Sequence, residues 1–300
     1  AIEDTDYRIT NPYADVDWQN WEQYKANLHT HTDVSDGDDT LRKMVQLHYD
    51  LDYDFLAITD HSTVCYSWTD VQYVPAVRSA MSLRTGANLI YDPVGLTEDE
   101  YKEVTTPGND GKTMLQVPFG IEQNGGSFNN THVNSWFVDY GNGVLGATSD
   151  YETALSNVEK LGGLSVINHP GEYTNARDED DPEKAYDESY SYYISKFANL
   201  LEKYPSCLGI DINSKGDGRT RNDRKLWDLL LQKVIPTGRT VTVIATSDAH
   251  RESAVDSGWT VHPLPEQSID ALRTSMETGA FFAASHYIKN AKELAILGKE

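Results

Sequence analysis

The stretch that decides the fold is ANLHTHTDVSDG, residues 26–37. It opens with a short apolar run that is typical of a buried strand, and it ends on Gly37, which allows a turn. Side chains two residues apart on a strand point to the same side, so His29 and His31 leave the strand together. A turn at Gly37 can bring Asp36 back towards both imidazoles. The stretch therefore predicts a strand that ends in a candidate metal-binding group, although a His-x-His pair alone is also found in ordinary strands.

The same order, an apolar run followed by turn residues, recurs along the chain. Between these runs, apolar residues recur at helical spacing around residues 41–51, 155–161, 226–234 and 269–276. This alternation is typical of an α/β protein with a parallel sheet, and the absence of a glycine-rich phosphate loop favours a closed or nearly closed barrel over a Rossmann sheet. The predicted strands are 26–29, 55–59, 117–121, 133–138, 164–167, 208–212 and 241–245.

One segment interrupts this alternation. Residues 62–114 separate the second and third predicted strands and contain helical patches of their own, which predicts an insertion over one rim of the sheet. We expect residues 1–300 to form a single domain, because the candidate site needs residues from both ends of the chain. Residues 286–300 are expected to form a terminal helix or a linker.

Composition limits the functions that fit. The 300 residues contain no apolar stretch of the length that a membrane-spanning helix needs, so no membrane span is expected. The chain has 47 acidic and 25 basic residues, and its net charge of −22 disfavours binding to long nucleic acids. Cys65 and Cys207 have neither metal-binding nor disulfide-framework spacing. The start at Ala1 and the acidic, cysteine-poor composition favour an exported protein whose leader has been removed, with the cytoplasm as the alternative.

Four further groups place histidines and carboxylates at the ends of predicted strands. Each has an ordinary explanation: Asp60, for example, is either a turn cap or a partner that orients a metal-bound imidazole. Five such groups at the same end of successive strands are improbable as separate accidents. In a β/α barrel these strand ends converge on one face, so the set predicts a metal site there. The four groups contain Asp60 and His61, Glu122 with His132, His169, and Asp248 with His250.

Three histidines fall outside this pattern. His48 lies in the first predicted helix, and His262 and His286 are expected to be loop or surface residues. None of the three is assigned to the site.

In this order the motifs resemble those of the PHP family, the polymerase and histidinol phosphatase superfamily of metal-dependent phosphoesterases. The resemblance extends over residues 26–251 and rests on HTH at 29–31 with SDG at 35–37, TDH at 59–61, GIE at 120–122, NHP at 168–170 and SDAH at 247–250. It implies a distorted (β/α)7 TIM-like barrel with a trinuclear metal site at the carboxyl ends of the strands.

The resemblance also implies which residues hold the ions. His132 is placed by its order in the chain alone. Imidazole and carboxylate ligands without thiolates suit zinc, manganese or iron, so the expected cofactors are two to three divalent ions. The implied ligands are His29, His31, Glu122 and Asp248 for one ion, Glu122, His132 and His169 for a second, and Asp36, His61 and His250 for a third.

The expected activity is hydrolysis of small phosphomonoesters or phosphodiesters, of nucleotide or sugar-phosphate type, by a hydroxide that bridges two metals. Glu122 is expected to bridge the metals, and Asp248 to hold or deprotonate the water. Arg177 and Arg251 are candidates to bind the phosphate, although each could also be an ordinary exposed arginine. Two alternatives remain open: a 3′ to 5′ nuclease on short oligonucleotides, and a metal-bearing surface or binding module without turnover.

Overall fold

The computed structural model describes residues 10–89, 91–108, 110–126, 130–144, 151–181, 184–187, 191–212, 214 and 218–286. Within these ranges the chain has a mixed α/β fold with two five-stranded sheets and seven α-helices. The strands are β1 (Glu22–Asn27), β2 (Phe55–Leu56), β3 (Leu115–Gln116), β4 (Ile121–Gly126), β5 (Asn130–Trp136), β6 (Leu164–Ile167), β7 (Cys207–Ile212), β8 (Thr242–Ala245), β9 (Gly258–Leu264) and β10 (Phe282–Ser285). The helices are α1 (Leu41–Asp50), α2 (Pro75–Thr85), α3 (Glu98–Thr105), α4 (Glu152–Lys160), α5 (Ser191–Lys203), α6 (Asp223–Val234) and α7 (Ile269–Thr278).

Both sheets are mixed. One has the strand order β10-β9-β1-β2-β3 and the other β4-β5-β6-β7-β8. The pairs β1–β2, β2–β3, β6–β7 and β7–β8 are parallel, as the alternating pattern predicts. Strand β9 runs antiparallel to both of its neighbours, and so does β5. The prediction of a wholly parallel sheet is therefore wrong, because only three residues separate β4 from β5, and so short a connection joins antiparallel strands.

The two sheets meet at their site-facing ends. Among the described residues they are not joined by a ladder, but isolated parallel bridges pair Thr30 with Ala249 and His61 with Glu122. Sheet pairing therefore does not close the ring that the barrel prediction requires. The bridges lie just beyond the carboxyl ends of β1, β8 and β2, where they hold the predicted motif groups side by side.

A shared apolar core packs the sheets together. One buried cluster contains Phe55 of β2, Trp136 of β5 and Ile244 of β8, so it draws side chains from both sheets. A second cluster lies under α5 and α6, where Leu201 and Leu226 are fully buried. Helix α5 was missed in the sequence, although Ile194, Phe197 and Leu201 recur at helical spacing there.

Several predicted strand boundaries are wrong around the third strand. Residues 117–120 do not form a strand, because Phe119 has a φ of 56° and interrupts the extended backbone. Gly120 passes so close to the carbonyl oxygen of Ile58 that a Cβ would lie 2.3 Å from it. Glu122 therefore lies at the start of β4 and does not end the strand before it.

The segment 62–114 contains α2 and α3 and contacts α1. The Arg42 N–H donates to the carbonyl oxygen of Val94, and the Arg42 side chain also pairs with Glu100. Glu100 forms a capping box with Thr97, which fixes the start of α3. The predicted terminal helix or linker at 286–300 lies outside the described residues, apart from His286. None of the described helices has the length and apolarity needed to cross a bilayer.

Gly209 of β7 should not tolerate a methyl group. A Cβ there would lie 1.8 Å from the carbonyl oxygen of Thr242 on β8, so Gly209→Ala must push the paired strands apart. We expect it to lower the free energy of unfolding by about 1–3 kcal/mol, measured by urea denaturation. Gly108→Ala is the control, since its Cβ would approach only the Asp110 side chain, and its effect should stay within about 0.5 kcal/mol. An unchanged urea midpoint for Gly209→Ala would contradict this account of the β7–β8 contact.

Candidate metal centre

Asp60 shapes the loop that follows β1. Its carboxylate accepts hydrogen bonds from the Thr32 N–H (2.8 Å), the Thr32 hydroxyl (2.7 Å) and the Ser35 hydroxyl (2.6 Å). The Gly37 N–H donates to the carbonyl oxygen of Thr32, and a Cβ at Gly37 would lie 2.8 Å from the Thr32 backbone. Asp60 is thus a loop anchor, and this tight turn returns Asp36 to the histidines.

Glu122 lies at the centre of the cluster. Its Oε2 is 3.1 Å from His31 Nε2 and 3.0 Å from His61 Nδ1. Its Oε1 is 3.1 Å from His132 Nδ1, 3.4 Å from His169 Nε2 and 3.6 Å from the imidazole of His29. The Asn168 side chain donates to the same Oε1 at 2.8 Å. One buried carboxylate therefore faces five histidines from four separate parts of the chain.

Asp248 and Asp36 flank Glu122 on two sides. Asp248 Oδ1 lies 3.2 Å from the Nε2 atoms of both His29 and His31. Asp36 Oδ1 lies 3.4 Å from His250 Nε2 and 3.6 Å from His31 Nδ1, and its Oδ2 lies 3.6 Å from His61 Nε2. The structure thus brings all nine predicted ligands together, and every one of them except His250 is buried.

The local backbone explains how distant segments reach one point. His132 opens β5, and because β5 is antiparallel, its amino end lies beside the carboxyl ends of the parallel strands. His169 follows β6 with a φ of 26°, and Asp248 follows β8 with a φ of 44°. Non-glycine residues in this region are strained, and such strain concentrates at functional sites. These two side chains are therefore aimed by sharp turns immediately after the strands.

The donor atoms fit divalent cations. The residues form four sets in which each residue offers one imidazole nitrogen or carboxylate oxygen. Within a set, these donor atoms all lie within 4.8 Å of one another. His31 Nδ1, which is buried in this cluster, has no hydrogen-bond partner in the part of the chain that the structure describes. Nitrogen and oxygen donors without thiolates suit zinc, manganese or iron. The sets are His31, Asp36, His61 and His250; His29, His31 and Asp248; His29, Glu122 and His169; and His61, Glu122 and His132.

This grouping differs in part from the implied one. His132 groups with His61, and His169 groups with His29, whereas the resemblance places His132 and His169 together on one ion. Glu122 belongs to two of the four sets. A single carboxylate with oxygens directed at two sets is the arrangement that a bridging ligand requires.

Charge compensation dominates the electrostatics of the cluster. Burial alone would lower the pKa of His29, but the carboxylates of Asp248 and Glu122 outweigh it and raise that pKa to about 9. Burial alone would raise the pKa of Glu122, and the neighbouring His132, His61 and His29 instead hold it well below its usual range. The pKa of His61 is lowered well below its usual value by burial. Asp36 is also buried, and the neighbouring His61, His250 and His31 likewise hold its pKa well below the usual range. Glu122 and Asp36 are therefore ionised at neutral pH.

Asp211 is a supporting residue that sequence reasoning missed. It is fully buried in β7, its Oδ2 lies 3.4 Å from His29 Nδ1, and it accepts a hydrogen bond from the Thr246 hydroxyl at 2.8 Å. A carboxylate on the second nitrogen of a ligand imidazole fixes its orientation and tautomer. The available signal was one acidic residue inside the apolar run 208–212.

Asn27 and His48 support the same strand end. Asn27 Nδ2 lies 2.7 Å from the Ser247 hydroxyl and 2.8 Å from His48 Nε2, and its Oδ1 accepts the His29 N–H at 3.3 Å. His48 Nδ1 donates to the Met44 carbonyl oxygen, so His48, outside the predicted site, is linked to it through Asn27. The placement of His262 in a loop or at the surface is wrong: His262 is buried in β9, and burial lowers its pKa to about 3.

An open cavity of about 1050 Å³ leads to the cluster. Arg251 lines it, with a side chain that is 64% exposed and 3.5 Å from Asp38. Arg177 is not among the described residues that line the cavity, and its guanidinium lies 3.6 Å from Asp178. Two arginines that the sequence did not single out also line the cavity: Arg84 in α2 and Arg219 after β7.

Comparison with known proteins supports the fold. No protein-family model matches the sequence, and no curated protein matches it. A two-domain protein from Bacteroides vulgatus, described as containing a PHP-like metal-dependent phosphoesterase, superposes with a TM-score of 0.51 at 17% identity, over 91% of this chain and 67% of that one. PsfC from Pseudomonas syringae superposes with a TM-score of 0.47 at 15% identity, over 93% of this chain and 97% of that one. A lesion-specific endonuclease from Pyrococcus furiosus superposes with a TM-score of 0.46 at 10% identity, over 87% of this chain and 58% of that one.

The first of these similarities shows a shared fold with a PHP-like protein. The resemblance that the motifs predict is therefore confirmed at the level of the fold, at an identity too low to transfer a substrate.

The metal-free protein should be most stable near pH 6.5. The raised pKa of His29 gives stability that is complete below its unfolded pKa of 6.5 and is lost as the pH rises towards about 9. The lowered pKa of His61 has the opposite effect, because its stability contribution is lost as the pH falls below 6.5. The measurement is the melting temperature of chelator-treated protein from pH 5 to pH 9, which should be highest near pH 6.5.

The same series with added Mn²⁺ is the comparison. Metal competes with protons for imidazole, so the gain in melting temperature should grow as the pH rises. A metal-free melting temperature that climbs steadily to pH 9 would contradict the assigned charge balance.

Proposed function

We propose that this chain is a metal-dependent hydrolase of small phosphomonoesters or phosphodiesters, such as nucleotides or sugar phosphates. The observation that carries the proposal is the convergence of nine histidines and carboxylates from five motif groups beside one open cavity. Five of the nine line that cavity, namely Asp36, His61, His132, Asp248 and His250. Two to three zinc, manganese or iron ions are the proposed cofactors, held by His29, His31, Asp36, His61, Glu122, His132, His169, Asp248 and His250.

We also infer that seven strands, β1, β2 and β4 to β8, form a distorted (β/α)7 barrel around this site. The two bridges between the sheets, Thr30 to Ala249 and His61 to Glu122, support this arrangement because they connect the strand ends on both sides. Among the described residues no strand ladder joins the two sheets, so the barrel would be completed only by these bridges near the site.

Metal ions at this site would supply positive charge for the phosphoryl oxygens and would acidify a water molecule. Asp248 lines the cavity, and its carboxylate is the candidate to accept the proton from the attacking water. His29, held by Asp211, keeps its Nε2 directed at Asp248 and Glu122. Glu122 belongs to two of the donor sets, which supports a role in holding ions of both.

Arginines at the cavity wall suit an anionic substrate. Arg219 pairs with Glu172, whose Oε2 lies 3.2 Å from His169 Nδ1, so its guanidinium is tethered beside the cluster. Arg251, which follows β8 in the chain, lines the same cavity. A guanidinium can donate two hydrogen bonds to a phosphate, and these two residues are the candidates to do so. Arg177 is not proposed for this role, because it is not among the described residues that line the cavity.

The net charge of −22 favours small esters over long nucleic acids. Short oligonucleotides belong in the same assay as nucleotides and sugar phosphates. Cleavage of oligonucleotides alone would favour the nuclease, and metal binding without any turnover would favour a binding module.

Glu122→Gln tests the bridging role. The substitution keeps the side-chain size and removes the charge, so we expect loss of bound metal together with a decrease in turnover of about a thousandfold or more, since metals supply most of the stabilisation of the phosphoryl charge. The measurements are turnover on a phosphoester panel with added Mn²⁺ or Zn²⁺, and elemental analysis of the bound metal.

Glu202→Gln is the matched control, because Glu202 is an exposed acid on α5. It should retain both metal and turnover. Full activity in Glu122→Gln would rule out a bridging role for this carboxylate.

A further inference from the structure

Arg84 comes from a part of the chain that contributes none of the nine candidate ligands. It lies in the last turn of α2, and its Nη2 donates to Asp36 Oδ2 at 3.2 Å. The Arg84 side chain is 36% exposed and lines the cavity, whereas the Asp36 side chain is only 3% exposed. Arg84 therefore extends from the cavity wall to a carboxylate inside the cluster.

The contact between Arg84 and Asp36 is held from both sides. Helix α2 buries Val77 and Met81, and the Arg78 Nε donates to the backbone carbonyl oxygen of Asp33, which belongs to the same loop as Asp36. On the other side of Arg84 the end of the helix is fixed, because the Ser82 hydroxyl donates to the carbonyl oxygen of Ala87. The helix that carries Arg84 is thus anchored to the loop that carries Asp36.

Asp36 has a second set of neighbours, which are histidines. Its two oxygens lie 3.4 to 3.6 Å from nitrogens of His31, His61 and His250, and these four residues form one of the donor sets. A cation in this set would share the Asp36 carboxylate with the guanidinium of Arg84. The surroundings of Glu122 differ, because its ion-pair partners are histidines, which are neutral when they bind a metal.

We propose that Arg84 weakens cation binding at the Asp36 position relative to the positions around Glu122. The chain then holds two divalent ions tightly and a third more loosely. A guanidinium remains charged at all accessible pH values, and at this separation its repulsion of a divalent cation is only partly screened. It also occupies a lone pair of Asp36 Oδ2 that the cation would use.

This inference rests on the metal centre of the proposed function and concerns the number of ions, not the reaction. It assigns the segment 62–114 a role at the site, because α2 supplies the charge that limits the third ion. The inference can be tested without any substrate.

The experiment is a titration of the full chain with Mn²⁺ after removal of metal by a chelator, with free Mn²⁺ counted by electron paramagnetic resonance. The unchanged chain should bind two ions tightly and one more weakly. Arg84→Gln should tighten the weakest ion by about tenfold or more and leave the other two affinities unchanged. Arg84→Lys keeps the charge and should stay within about threefold of the unchanged chain.

Two variants locate the effect. Asp36→Asn should lose the weak ion and retain the two tight ones, which assigns that ion to the Asp36 set. Arg251→Gln removes another cation of the same cavity, one that pairs with Asp38, and should change the weakest affinity by less than about threefold. Retention of the two tight ions in each variant shows that the chain is still folded.

An unchanged third affinity in Arg84→Gln would overturn the inference. So would a weaker third affinity, which would show that Arg84 positions Asp36 as a ligand. The outcome is separate from the proposed function: if no phosphoester is hydrolysed and Arg84→Gln still tightens the third ion, the inference holds and the proposed reaction is wrong. If esters are hydrolysed and Arg84→Gln leaves the affinity for the third ion unchanged, the proposed reaction holds and the inference is wrong.

Discussion

The structure depends on compensation of three buried carboxylates by six imidazoles. An ionised carboxylate taken out of water is strongly destabilising unless charged or hydrogen-bonding partners replace the lost solvation. Glu122 meets this requirement through both oxygens, each within 3.1 Å of an imidazole nitrogen. The partners range from His29 to His250 along the chain, so the strands must bring their ends together for the cluster to form. The same requirement, that each buried carboxylate must contact imidazoles from distant segments, therefore applies to both the fold and the site.

Bringing these ends together has a conformational cost that the surrounding structure offsets. His169 and Asp248 adopt positive φ values, and so do Ser62 and Thr131, the residues next to His61 and His132. Strain of this kind persists where neighbouring contacts determine the geometry. Here those contacts are buried hydrogen bonds between Asp211 and His29, between Asn168 and Glu122, and between Asn27 and the segment that carries Asp248. The cluster is consequently rigid where it faces the protein interior.

The cavity side of the cluster has a different character. Arg84 and Arg219 each pair with a carboxylate, Asp36 and Glu172, and each carboxylate also contacts a histidine of the cluster. In a chain with a net charge of −22, these guanidinium groups place positive charge at the cavity wall. One arginine comes from the segment 62–114 and the other follows β7, so both are supplied by connections between strands.

Residue type and order along the chain determined the strand before HTH and the five motif groups, because a buried apolar run followed by a turn is a local pattern. The order of these groups also determined the resemblance to the PHP family. The helices α1, α4, α6 and α7 were found for the same reason. Only the tertiary structure decided that β5 and β9 run antiparallel, that His132 groups with His61, and that Asp211, Asn27 and His48 support the site. It also showed that Arg84 and Arg219 line the cavity together with Arg251. These features depend on which distant segments lie side by side, and no local spacing in the sequence carries that information.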